Sequence, residues 1–95
     1  EVVWKASAPF RSFADYADLE KTRAEYREIF EDAVREITVD CGQPRFVGER
    51  ARPDFPSWSD AAHLAVWAGE DELACYIAVV QASRDDPVEL RVGVR

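Results

Sequence analysis

The chain has 95 residues, 47% of them hydrophobic, with 12 basic and 19 acidic side chains for a net charge of −7. That length and apolar content fit one small globular domain and argue against disorder. The negative charge argues against nucleic acid or an anionic membrane as the main partner, since both repel an acidic surface.

The first element in chain order is an opening strand over residues 1–6, with Val2 and Trp4 on one face and Val3 on the other. Pro9, within Ser7 to Phe10, ends it. Ser12 followed by Asp15 resembles a helix-starting capping box. Tyr26, Ile29, Phe30, Ala33, Val34 and Ile37 then recur at the spacing of one apolar helical stripe. The opposite face carries Arg27, Glu28, Glu31, Asp32 and Arg35, with Glu31 and Arg35 spaced for an i,i+4 ion pair.

Past Asp40 the period dissolves. Residues 41–60 contain Pro44, Pro53 and Pro56 with Gly42 and Gly48, and they read as one long loop. Phe46, Phe55 and Trp58 stand there among Arg45, Arg50 and Arg52. Two readings of that mixture stand side by side: the wall of a substrate entrance, or a satellite cluster folded back over a sheet.

Residues 61–95 read as a three-stranded antiparallel meander of His63 to Ala68, Leu73 to Ala82 and Val88 to Arg95. Gly69-Glu70-Asp71 and Ser83 to Pro87 form the turns between them. On the last strand Val88, Leu90, Val92 and Val94 face a core, while Glu89, Arg91, Gly93 and Arg95 face away. The middle strand is apolar on both sides, so both of its faces should be covered. A rival ankyrin-repeat reading of residues 60–82 needs about three stacked copies, and the chain holds no second one. The expected fold class is therefore α/β in the sense of an α+β sandwich, divided into a strand and helical region (1–40), a loop (41–60) and a meander (61–95).

Few residues advertise chemistry. Cys41 and Cys75 form no C-x-x-C pair and there is one His, so no metal centre is expected. Cys75 in its apolar strand predicts a buried thiol, and the two cysteines together predict a reduced, cytoplasmic protein. The longest apolar run, Leu73 to Val80, is too short to span a bilayer, and no signal peptide is visible. Phosphate-binding, hydrolase and zinc-helix motifs are absent. His63 reads as a structural histidine.

Residues Asp85 to Arg95 resemble the fourth strand of a GNAT-type N-acetyltransferase, and Ala62–Ala68 and Glu72–Ser83 resemble its second and third. Cys75-Tyr76 stands where that family often carries a Gly-Tyr step. The resemblance extends over residues 61–95 and is looser before them. It implies the N-terminal half of an acyl-CoA N-acyltransferase fold, a partial domain ending ahead of the Arg/Gln-x-x-Gly-x-Gly/Ala loop that holds the cofactor pyrophosphate at a helix N-terminus. It further implies acetyl-CoA as cofactor and a small-molecule or peptide amine as substrate. Val92, Gly93 and Val94 would contact the pantetheine arm, and Glu89 would be the general base. Gly93 fits independently, because a strand glycine often marks close approach of a ligand or backbone. Glu89 has a plainer alternative as a strand carboxylate paired with Arg91 or Arg95. The outer edge of the last strand, if open, would invite self-association or a second chain. A reading from a different class is a small acidic protein-binding module, of inhibitor or immunity type, with no cofactor.

Overall fold

The apolar stripe becomes the inner face of a 23-residue helix, α1 (Leu19–Cys41), laid across a five-stranded antiparallel sheet. The computed structural model describes residues 1–11, 17–68, 74–83 and 85–94. The expected capping box, the Gly69-Glu70-Asp71 turn, Leu73 and Arg95 lie outside them. The strands are β1 (Val2–Ala6), β2 (Phe46–Glu49), β3 (His63–Ala68), β4 (Ala74–Val80) and β5 (Glu89–Val94), in the order β1-β5-β4-β3-β2. This is a small α+β domain. The strands at 63–68 and 74–80 remove the ankyrin alternative.

Residues directly opposite in an antiparallel ladder share a face, so the register sorts the side chains. Val47, Ala65, Ile77, Val92 and Val2 form one row across all five strands. Trp67, Cys75 and Val94 form the next. These rows face α1. Tyr26, Phe30 and Ala33 of the helix, with Leu19 and Phe10, pack there against Ala65, Trp67, Ile77, Val79, Val88 and Leu90. Burying a side chain such as Phe30 or Ile77 contributes about 2 kcal/mol. The helix ends at Gly42, whose φ of 84° suits a residue without Cβ, and whose N–H donates to the Thr38 carbonyl at 3.0 Å. On its outer face Arg27 pairs with Glu31 at 3.3 Å, and Arg35 pairs with Asp32. The expected Glu31–Arg35 pair is thus replaced by two others, all exposed and each worth little.

The opposite face carries Leu64, Val66, Ala78 and Val80. The segment after β2 folds back over it. Phe55 meets Phe46 edge-on with ring centroids 5.7 Å apart, and Trp58 lies 5.5 Å from Tyr76. The loop aromatics therefore form the satellite cluster, and β4 is covered on both sides, by a helix on one and by an irregular segment on the other. Four residues of the expected loop, Phe46–Glu49, are the edge strand β2.

The largest departure concerns β1. It runs antiparallel along the outer edge of β5, with Val2 opposite Val92 and Ala6 opposite Glu89. Ser7 N–H continues the contact by donating to the Val88 carbonyl at 2.9 Å. The last strand therefore has neighbours on both sides, and the open edge expected there is filled from within the chain. Val94 is also not core: it is 61% exposed, near where α1 ends. Among the described residues, no helix is long and apolar enough to cross a membrane.

Candidate functional site

Two places bring together the residues singled out from sequence, and they lie on opposite faces of the sheet. Alternation along β5 sends Glu89 and Arg91 to the face away from α1, and Leu90, Val92 and Val94 to the helix face. On the outer face Arg91 donates from Nε to Glu89 Oε1 at 3.1 Å and from Nη1 to Glu1 Oε1 at 3.0 Å. Tyr76 donates its hydroxyl to the other Glu1 oxygen at 2.6 Å. The Tyr76 hydrogen bond chiefly, then the Arg91 charge, hold the Glu1 carboxyl below its ordinary pKa against an opposing effect of burial. Glu89 is half-buried and engaged by Arg91, which is its plainer reading.

Gly93 sits beneath the Tyr76 ring. A Cβ at that position would come within 2.5 Å of the ring and its hydroxyl. A ligand or another backbone was the expected neighbour of this strand glycine; what lies against it is the Tyr76 side chain of the neighbouring strand.

The helix face opens at one end into an apolar cleft of about 620 Å³. Ile37 and Cys41 supply its roof from α1, while Trp67, Cys75, Ile77 and Val92 supply its floor. Val2, Gly93, Val94 and Glu1 complete the wall. The Trp67 indole N–H donates to the Gly42 carbonyl at 3.1 Å and so ties the floor to the helix end. Cys75 is exposed here, against the expectation of a buried thiol. It lies near the start of β4, where the register reaches the sheet end and the core has run out. Both cysteines are free and both border the cleft.

At the other end of the sheet a polar recess is lined by Arg23, Glu49, Arg50, Asp60, His63 and Gln81. The Gln81 amide oxygen accepts from Arg23 at 3.0 Å, and Arg50 Nε donates to the Ala61 carbonyl at 3.3 Å. His63 lies against Phe30 with centroids 5.8 Å apart. Burial, and secondarily the nearby Arg27 charge, lower its pKa. Among the described residues no group of three or more His, Cys, Asp or Glu side chains is placed to hold a metal ion.

The cofactor groups inferred by resemblance divide accordingly. Val92, Gly93 and Val94 do border a cleft with apolar walls suited to a pantetheine arm. The surroundings do not suit its phosphates. α1 presents its C-terminal, electronegative end to this cleft, and its last turn carries no basic residue. The residues present therefore do not fit the charged half of acetyl-CoA, and Glu89 lies across the sheet from the cleft. Sequence reasoning missed Trp67, Ile37 and Cys41 as a single site because 26 positions separate Trp67 from Cys41, and only the helix–sheet packing joins them. No family model, no curated protein and no solved structure matches this chain.

Proposed function

We propose that the chain is a small acidic protein-binding module of the inhibitor or immunity type, acting without a cofactor. The observation that carries this reading is the pairing of β1 along β5. An acyltransferase half would leave that edge for its next strand; here the sheet is closed on that side by its own first strand. Two further features support the reading. Glu89 and the cleft lie on opposite faces, so that carboxylate does not point at the space that Val92 and Val94 border. The charged groups of the outer face are engaged with one another, as in a structural network. Two free thiols suit the reducing cytoplasm, the location we assign to it.

The alternative is an acetyl-CoA-dependent N-acetyltransferase acting on an amine, with the fold of the N-terminal half of that family. One observation favours it, the apolar cleft beside Val92, Gly93 and Val94. Calorimetric titration of acetyl-CoA separates the two. The binding module gives no saturable heat at millimolar cofactor. Saturable binding, with Glu89→Gln then slowing acetyl transfer to an amine, would replace it with the enzyme.

A further inference from the structure

We propose that the apolar cleft beneath the C-terminal end of α1 is the docking site of the module, and that it takes a short basic peptide segment of a partner protein bearing a large apolar side chain at its centre. This rests on the binding-module reading and names its site and partner. Apolar surface is the first reason. Trp67, Ile77 and Val92 floor a space of about 620 Å³, ample for one or two large side chains. At the mouth Val2 and Val94 remain 64% and 61% exposed, so apolar area continues outward from the cleft onto the surface. A small ligand would leave that outer area in water, whereas a peptide crossing the mouth would cover it.

Charge selects the peptide. Glu1 borders the cleft, but its two carboxylate oxygens are held by Arg91 and Tyr76, so the selecting charge comes from the helix above. Glu36 and Asp40 share one exposed line on the last turns of α1, each next in sequence to Ile37 or Cys41, the two helix residues that roof the cleft. The negative end of the helix dipole adds to them, with no basic side chain in the last turn to offset it. Lys or Arg residues flanking an apolar anchor answer all of these together. A second copy of the chain brings the same acidic residues and another net charge of −7, and so is repelled.

The probe is acetyl-Lys-Lys-Leu-Trp-Leu-Lys-Lys-amide, titrated into the isotope-labelled full chain and followed by NMR. We expect saturable shifts concentrated at Ile37, Trp67, Cys75 and Val94. A control with Ser for Leu and Trp should bind at least tenfold more weakly, and one with Glu for Lys should not bind. Glu36→Lys and Asp40→Lys, both at exposed positions, should each weaken the probe about threefold, the size of one surface ion pair. Val94→Asn should weaken it without altering the fold. No saturable binding, shifts centred on the polar recess or the β1 edge, or equal binding of the Ser control would overturn the proposal. Because acetyl-CoA titration is read separately, failure here leaves the binding-module reading standing, while acetyl-CoA binding would remove that reading first.

Discussion

Gly93 shows how one missing methyl group sets the outer face of the sheet. The Tyr76 ring crosses the bare backbone of β5, its hydroxyl is held by Glu1, and Trp58 lies against it. With the ring fixed at its far end, a Cβ beneath it has no cheap escape. Gly93→Ala should therefore lower stability by about 1–3 kcal/mol, the usual cost of overpacking, measured by urea unfolding. In a Tyr76→Ala background most of that loss should vanish. Losses that simply add would mean that the glycine is needed for something other than the ring. The sequence displayed this glycine as a place of close approach, but not what approaches, because the register that sets Tyr76 opposite Gly93 is not a local property. Glu89 illustrates the same limit. Its alternation assigned it to the outer face correctly, and the i,i+2 spacing made Arg91 a candidate partner. Cys75 went the other way: apolar neighbours suggested burial, yet the residue stands beyond the cover of the helix, whose end no local pattern relates to β4.

At the scale of elements, α1, β3, β4 and β5 were legible because each repeats its signal several times, at a period of 3.6 or 2. β2 was not, since Phe46–Glu49 gives too short a sample and contains a glycine. The placement of β1 was illegible for a different reason. Its strand character is local, whereas its choice of β5 as neighbour depends on the whole chain. That choice reverses the expected exposure: the edge of β5 is covered, and among the described residues β1 is the edge strand on that side, as β2 is on the other. β1 is short, irregular between Val3 and Lys5, and bears a lysine. Bulges and lysines of this kind discourage further strand pairing. The full chain should accordingly sediment as a monomer at micromolar concentration. A chain lacking residues 1–6 uncovers β5, with Leu90 and Val92, and should associate as concentration rises. If the shortened chain stayed monomeric and folded, β1 would not be what shields that edge.

For the molecule as a whole, pairing β1 with β5 has a consequence in time. Val2 and Val92 are some ninety positions apart, so the final ladder joins segments that are made at very different moments. At about 5–20 residues per second of synthesis, β1 waits roughly 5–18 s for its neighbour. Throughout that interval Val2, Val3 and Trp4 have no strand to lie against, and a holding chaperone has its best opportunity to bind. Refolding bears the same mark, since the loop to be closed holds some ninety residues and its entropy is lost before any β1 contact forms. Stopped-flow refolding should show the β1–β5 ladder completing over milliseconds to seconds, as for other chains dominated by distant pairings. Val2→Ala should speed unfolding much more than it slows refolding, because that ladder forms last. A chain whose refolding slowed instead would be nucleating at the β1–β5 ladder.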